Sequence, residues 1–534
     1  MKKSERIFIK EWLSLKPYNR ETAADRYYLG LINKVKEALL EKSGNTPLQR
    51  YFEPEEINLL SYMLTGYLED VVSEVGLWKT FVKLHLRFYG KPVPFYDTSN
   101  YYEDEINQAD VFFLIWYHLN TVQVEFVVAP NADWIIQLGE AVMEVLEDAW
   151  EDAPENDQLK AHFTLPETET DFYSARQFID KVLFSSFLMA PDTLLAFQEQ
   201  QLELIQDPMF DRYGMSLLSE TRDAILQMNK TKLLALRGNV WAAELLGEDH
   251  PLYALLLEMS PKVMGLFLYL GQDEQHLHLE HIASEKKFAL TKKSLDHAYD
   301  FVEQDTILLI GMVRWMSEWW FSGTLTELEY SANMVLDEKN SIEKRQEVAF
   351  LDDNEEVIQD QLYNQQQVFK KMNGGKPIAF MDSSEVNGFI KDFLGNYNES
   401  LGLSKEAKKA AEKRAKEKGF LDRSNDQNSL EAGKETIVFF NPKTGLEIVG
   451  DGCSAFPDPS NPYYQESEEM MDLAHVIMAP NISPELTRFC IEEYHQDHAY
   501  FSEGEGRSYL ENLDFVLRYW KNDIYQNRPR ISTL

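Results

Sequence analysis

The spacing of apolar residues changes near residue 260, and this change limits the fold more than any other feature of the sequence. Before it, apolar residues recur every three or four positions, as they do at Leu31, Val35 and Leu39. This spacing places them along one side of a helix. A helix with a single apolar stripe must bury that stripe against a neighbour, so we predict a multi-helix array over residues 1–250.

Short apolar runs replace the helical stripes between residues 251 and 330. The first three runs, separated by the polar breaks QDEQ and SEK, are MGLFLYLG, HLHLEHIA and KKFALTK. A fourth and more apolar run extends from Thr306 to Phe321. Runs of this length between polar breaks are typical of strands joined by tight turns. We therefore predict a small antiparallel β-module, a meander or a half-barrel, in which residues 306–321 form a single strand.

The rest of the chain divides by composition. Residues 331–430 hold polar, glutamine-rich and lysine-rich helices and a flexible linker with few apolar residues. Residues 431–534 regain apolar patterning, with the strand-like run TIVFFN and two helices, and are predicted to form a C-terminal α+β segment. The four parts together predict a mostly helical α+β protein.

Charge and cysteine content narrow the class of protein. The 534 residues include 89 acidic and 52 basic ones, which gives a net charge of −37. A surface this acidic repels nucleic-acid backbones at long range. Cys453 and Cys490 are the only cysteines, which argues against a disulfide framework and against a CxxC-type zinc site. No apolar run reaches the roughly 18 residues of a spanning helix, so we expect a cytoplasmic protein that does not enter a membrane.

The run HLHLEH contains the best candidate metal ligands. Side chains two residues apart project to the same side of a strand, so His276, His278 and Glu280 would share a face. Two imidazoles and a carboxylate can bind zinc or non-haem iron, which makes a divalent metal the one cofactor that the sequence suggests. Alternatively, Leu277 and Leu279 face the core and the histidines form the solvated side of an amphipathic strand.

The run GMVRWMSEWWFSG, residues 311–323, offers a candidate ligand surface. In a single strand, Arg314, Glu318 and Trp320 would project to one side, where a charged pair beside an indole could stack a planar ligand. The alternative is that the tryptophans fill a core and the charged pair is a cross-strand salt bridge. We favour packing, because large aromatic side chains mostly serve cores.

Two weaker constellations lie near the C-terminus. Glu492, His495 and His498 fall three residues apart, as in one half of a carboxylate-bridged di-iron site, but the same spacing fits a solvated helix face. Cys453 lies in a turn-rich loop that could display a thiol nucleophile, with His475 or His495 as its base, although a lone loop cysteine usually has no such role. No complete nucleotide-binding or hydrolase signature accompanies them.

A lysine-rich helix is predicted over residues 404–419. Between residues 405 and 418 seven basic and three acidic side chains give a net charge of 7 − 3 = +4, in contrast to the acidic remainder of the chain. This segment is the one place where we expect nucleic-acid binding to be feasible. Docking on an acidic surface or simple solvation in a linker explains the same pattern.

Several stretches resemble an uncharacterised bacterial family that is known only as a domain of unknown function. The stretches are WLSLKPYNRETAADRYYLGL, ADVFFLIWYHL, VLEDAWEDAPEN, LALRGNVWAAELLGEDHP, GMVRWMSEWWFSG and NLDFVLRYWKNDIY. The resemblance covers most of the chain except residues 330–430. It implies a bacterial origin and assigns no catalytic residues.

Two functions from different classes follow from these patterns. The leading hypothesis is a non-enzymatic protein-binding or scaffold protein, whose helical array and acidic surface engage another protein. The alternative is a metal-dependent hydrolase that uses His276, His278 and Glu280, with Arg314 or Glu318 near its substrate.

Overall fold

The computed structural model divides into two compact units. One comprises Met1–Ser260 with Asp497–Asp523, and the other comprises Pro261–Gln496 with Ile524–Leu534. The structure describes residues 6–43, 48–123, 126–206, 210–295, 306–341, 344–345, 347–352, 355–401 and 433–525. The protein is mostly helical α+β, as the sequence predicts. The finer division at residues 250, 330 and 430 stays a prediction.

The first unit is built from helices, which confirms the predicted N-terminal array. A π-helical turn, Ala190–Leu194, lies among them. The helices are α1 (Ile9–Ser14), α2 (Ala23–Ser43), α3 (Leu48–Tyr51), α4 (Pro54–Val72), α5 (Leu77–Tyr89), α6 (Gln108–Val122), α7 (Asp133–Trp150), α8 (Asp157–His162), α9 (Phe172–Ser185), α10 (Leu195–Gln206), α11 (Phe210–Gln227), α12 (Gly238–Leu246) and α13 (Leu252–Glu258).

Buried polar groups connect these helices. Lys16 and Glu69 form an ion pair in which neither side chain is more than 2% exposed. The carboxylate of Asp110 accepts a hydrogen bond of 2.6 Å from the Tyr67 hydroxyl. Burial raises the pKa of Asp110 to about 7. Such groups cost free energy when they lose a partner, so they specify one arrangement of the helices.

Five strands of the second unit form a closed barrel. They are β1 (Val263–Gln272), β2 (His276–His281), β3 (Lys287–Thr291), β4 (Ile307–Trp315) and β5 (Glu318–Leu328). Their order around the barrel is β1-β2-β3-β5-β4, and neighbours are antiparallel except β3 and β5, which are parallel where Leu290 lies opposite Trp319. This order is that of the OB-fold, a five-stranded Greek-key barrel.

The prediction of a single strand over residues 306–321 is wrong. The chain reverses at Met316 and Ser317, and Trp315 on β4 pairs with Glu318 on β5. Met316 has φ 55°, a positive φ of the kind that the favoured two-residue hairpin turns have at their first central residue. The module therefore has five strands, and it is a closed barrel rather than a meander or half-barrel.

The interior of the barrel is apolar. Alternate residues of each strand point inward, so that side chains from all five strands meet in one core. The core includes Phe267, Leu279, Phe288, Leu308 and Met312, with Trp319 and Phe321 packed against it.

The remainder of the second unit holds a three-stranded antiparallel sheet in the order β6-β7-β8. Phe369, Phe393 and Phe440 pack between this sheet and its helices. The elements are α14 (Ala332–Asn340), α15 (Glu355–Met372), β6 (Ile378–Asp382), α16 (Ser383–Ser400), β7 (Glu435–Asn441), β8 (Gly445–Val449), α17 (Glu469–Met478) and α18 (Pro484–Cys490), which a π-helical turn, Ile491–His495, follows.

The end of the chain contributes to the first unit. Its helices are α19 (Ala499–Ser502), α20 (Arg507–Glu511) and α21 (Leu513–Trp520). The Tyr519 ring of α21 lies 4.9 Å from the Trp116 ring of α6, and Phe515 lies 5.9 Å from Phe113, so an aromatic core fixes α21 against α6. Each helix in the described part of the chain is too short or too polar to cross a membrane.

Candidate functional site

The outer surface of β2 and β3 carries the histidines that the sequence singles out. His276, His278 and Glu280 point outward, because Leu277 and Leu279 alternate with them and are buried. The pairing of β2 with β3 places His278 opposite Ala289 and Glu280 opposite Lys287. Ala289 is exposed and small, so nothing on β3 covers the His278 imidazole. We call this surface, formed by the outward residues of β2 and β3, the β2–β3 face.

Asp273, in the loop between β1 and β2, organises this face. Its carboxylate accepts hydrogen bonds from the backbone N–H groups of Gln275 (2.7 Å) and His276 (2.8 Å) and from Nε2 of His278 (2.9 Å). These donors, the backbone N–H of Gln275 first, lower the pKa of Asp273 to about 2. The loop therefore presents a fixed negative charge between two imidazoles, since Nδ1 of His276 lies 3.7 Å from the same carboxylate.

Glu318, at the start of β5, approaches the same face from the β4–β5 turn. Its carboxylate pairs with Lys293 at 3.0 Å and lies 3.9 Å from Nε2 of His276. Basic and acidic groups thus alternate across the face, in the order His278, Asp273, His276, Glu318, Lys293. Exposed ion pairs of this kind contribute little to folding, so an incoming ligand can exchange them at small cost.

The predicted metal ligands are not brought to one point by this geometry. The carboxylate between His276 and His278 is that of Asp273, whereas Glu280 faces Lys287. Within the described ranges, no group of three or more histidine, cysteine, aspartate or glutamate side chains is placed to hold a metal ion. Metal binding by His276, His278 and Glu280 stays a prediction.

The candidate ligand surface in the tryptophan-rich run is divided between two faces. Trp320 lies opposite Val313, and Glu318 lies opposite Trp315, so Glu318 and Trp320 share one face of the sheet. Arg314 lies opposite Trp319, whose ring packs against the barrel core. The hairpin turn at Met316 shifts the alternation of side chains between β4 and β5, so Arg314 is separated from the other two.

The candidate nucleophile Cys453 and its candidate base His495 are both buried. Cys453 is 0% exposed and burial raises the pKa of its thiol, while Cys490 donates to the Ala455 carbonyl oxygen at 3.3 Å. His495 is also 0% exposed and its Nε2 lies 2.6 Å from the same carbonyl oxygen. Neither sulfur is presented as a nucleophile.

The predicted di-iron half-site does not form as one face. Glu492 is exposed and His495 is buried, because the π-helical turn changes the helical spacing between them. His498 caps α19 of the first unit by accepting the backbone N–H of Tyr500 at 3.2 Å. The lysine-rich segment 404–419 lies outside the described residues.

Asp273 is the site residue that the sequence patterns missed. A signal for it exists, because an aspartate just before a strand commonly accepts the backbone N–H groups two and three residues ahead. The sequence DEQH places the acceptor at Asp273 and the donors at Gln275 and His276. This turn, read together with the two outward histidines, would have located the face.

A comparison of the sequence with protein families gives one match. Residues 6–279, just over half of the chain (274 of 534), match the model of DUF3843, a protein family of unknown function. The chain belongs to the DUF3843 family. The resemblance to a domain of unknown function is thereby confirmed, and the matched part of this DUF3843 protein ends within β2. Comparisons with curated proteins and with solved structures gave no match.

Proposed function

We propose that this DUF3843 protein is a non-enzymatic binding protein that takes up a segment of another protein on the β2–β3 face. The observation that carries the proposal is the barrel order, with the β1–β2 loop and the β4–β5 turn meeting at this face through His276. In barrels of this type, strands 2 and 3 with these two loops form a binding face for chain-like ligands such as oligonucleotides and oligosaccharides. The fold alone does not determine the ligand, so the class of ligand must be argued from the side chains on the face.

The side chains favour a polypeptide over a nucleic acid. A single strand of nucleic acid needs a positive groove and aromatic rings for its bases. The outward positions of β2 and β3 carry no Phe, Tyr or Trp. Acidic groups stand beside basic ones, because Glu280 lies opposite Lys287 and Glu318 pairs with Lys293. A face of both signs complements a polypeptide that carries both signs. The net charge of −37 further disfavours a polyanion.

Site-specific photo-crosslinking tests the proposal. A benzoylphenylalanine at Ala289, on the face, should yield a defined protein adduct in the native host. The same residue at Thr326, an exposed outward position of β5 on the same barrel, is the matched control and should not yield that adduct. Identical adducts at both positions, or an adduct at Ala289 that nuclease removes, would contradict binding of a protein segment.

A metal-dependent hydrolase is the second candidate. It is supported by the two imidazoles on either side of the Asp273 carboxylate, whose nitrogens lie 2.9 and 3.7 Å from its oxygens. Two ligands that each lie about 2.0–2.2 Å from one tetrahedral zinc ion are about 3.5 Å apart, so small side-chain movements would let these groups share a metal ion. Metal analysis of untagged protein separates the two candidates. Stoichiometric zinc, iron or manganese that is lost in His276→Ala and His278→Ala would favour the hydrolase and count against a non-enzymatic role.

We propose a reducing compartment such as the cytoplasm as the location. The support is chemical, because two cysteines in a chain of this length form no disulfide framework and both thiols are free. Fractionation of the native host, with the chain detected by antibody, tests this directly.

A further inference from the structure

Four segments of the first unit bring polar side chains together beside the Tyr519 ring. The Tyr519 hydroxyl lies 2.8 Å from Oγ1 of Thr121 on α6, and the Lys232 ammonium lies 5.5 Å from the centre of the ring. Asp192, from the π-helical turn, acts electrostatically on Tyr519 and on Tyr117 of α6. The cluster therefore joins residues that are far apart in the sequence.

Asp192 is held in place by the backbone. The π-helical turn Ala190–Leu194 carries it, and Oδ2 accepts the backbone N–H of Lys232 at 2.6 Å. Its other carboxylate oxygen accepts no hydrogen bond from the described residues. Burial raises the pKa of Asp192 to about 6 against the opposing charge of Lys232, yet the side chain keeps partial exposure to solvent. Part of the Asp192 residue is therefore in contact with solvent.

The Lys232 ammonium supplies the opposite charge without pairing to Asp192. Among the described residues it forms no ion pair with a carboxylate, and it too is partly exposed. Its position is fixed by a constrained loop, in which Leu234 and Ala235 adopt left-handed φ values of 64° and 51°. Backbone strain of this kind persists only where the surrounding structure enforces it. An anion and a cation thus stand close together without a direct ion pair between them.

The Tyr117 hydroxyl is the observation that points to a ligand. Tyr117 is 0% exposed, and its hydroxyl has no hydrogen-bond partner in the described structure. Buried hydroxyls almost always have a hydrogen-bond partner, so an unpaired one in a polar cluster points to a ligand. The partner must supply a lone pair if the hydroxyl donates.

We propose that Asp192, Lys232 and Tyr117 form a binding site for a free α-amino acid. The ammonium of the ligand would pair with the open oxygen of Asp192. Its carboxylate would accept from the Lys232 ammonium and from the Tyr117 hydroxyl. A zwitterion satisfies all three groups at once, whereas a simple amine leaves Lys232 and Tyr117 without a partner and a simple carboxylate leaves Asp192 without one. This site lies in the first unit and is independent of the barrel proposal.

Calorimetric titration of the full chain tests the site. The probes are L-alanine, L-leucine and L-phenylalanine, with acetate and methylamine as ligands that each carry half of the zwitterion. At least one amino acid should bind with a dissociation constant below about 1 mM, and neither half-ligand should bind at about 10 mM. Lys232→Met should weaken that amino acid by roughly tenfold or more, because it removes a charge-assisted hydrogen bond.

Tyr117→Phe separates binding from folding. It removes only a buried hydroxyl that lacks a partner, so the variant without ligand should unfold at the same or a higher temperature than the original chain. Its affinity for the amino acid should nevertheless fall about fivefold or more. Tyr102→Phe, at an exposed ring in the loop before α6, is the matched control and should change neither quantity. If none of the three amino acids binds, or if Tyr117→Phe and Lys232→Met bind like the original chain, the site does not exist.

Discussion

Replacing Gly311 by alanine should open the barrel that carries the β2–β3 face. Gly311 lies on β4 at a register irregularity between Ile310 and Met312, where β5 passes close by. A methyl group there would lie 2.3 Å from the Ser322 carbonyl oxygen and 2.3 Å from Cε of Lys262. The lysine can move, but the carbonyl belongs to the backbone of β5. Relief therefore requires a shift of the strand by about 1 Å, since such contacts are normally more than 3 Å.

The free-energy cost of this shift comes from overpacking and from the loss of ladder hydrogen bonds. Overpacking in a well-filled interior costs about 1–3 kcal/mol, and losing two ladder hydrogen bonds beside the irregularity adds about 1 kcal/mol each, so we expect about 3–5 kcal/mol. Because a chain of two units need not unfold in one step, the opening of the barrel itself must be measured. Hydrogen exchange in peptides from residues 307–328, followed by mass spectrometry over a urea series, reports that opening.

Gly388→Ala is the matched control. Gly388 lies on α16 of the same unit, and a methyl group there would meet nothing within 4 Å. This substitution should be neutral or stabilising by up to about 1 kcal/mol, because alanine favours the helix over glycine. The reasoning is refuted if exchange in residues 307–328 of Gly311→Ala opens within about 0.5 kcal/mol of the Gly388→Ala value.

Three further predictions concern buried charges and thiols. Because the pKa of Asp110 is raised to about 7 in the folded chain, the folded state loses stability as pH rises from about 4 to 7. Asp110→Asn should remove about 2–3 kcal/mol of that loss between pH 5 and 8, as measured by urea titration. An unchanged pH profile would refute this prediction. Lys16→Met should lower the free energy of unfolding by about 3–5 kcal/mol in the same assay, because it leaves the Glu69 carboxylate buried without a counter-ion. Adding Glu69→Gln should recover most of the lost stability. Equal stability of the single and double variants would speak against a buried unpaired charge as the cause. Neither Cys453 nor Cys490 should react with a thiol reagent in the folded chain, and both should react in urea; fast labelling of folded Cys453 would revive the nucleophile hypothesis.

Local periodicity explains which parts of the fold could be predicted. The helices of the first unit can be predicted from apolar spacing, because each apolar stripe is formed by residues of a single helix. The hairpin at Met316 was missed because the sequence WMSE contains no glycine, asparagine or aspartate to mark a left-handed turn. Closure of the barrel depends on the parallel pairing of Leu290 with Trp319, which no local sequence pattern predicts.

The two candidate sites also differ in how far local sequence patterns predict them. The outward placement of His276 and His278 follows from simple alternation within β2. The cluster around Tyr519 gathers residues from four segments, including Tyr117 and Lys232. Two backbone irregularities of the first unit position these residues: the π-helical turn and the loop with left-handed φ values. Neither irregularity has a reliable sequence signal, so that site emerged from the structure alone.

The most direct test of the central claim is hydrogen exchange of the full chain with and without the protein captured by crosslinking at Ala289. The account expects added protection in residues 276–291, which form the β2–β3 face, and unchanged exchange in β6, β7 and β8 of the same unit. Protection in the three-stranded sheet or in the helices of the first unit, with residues 276–291 unaltered, would contradict binding at the barrel.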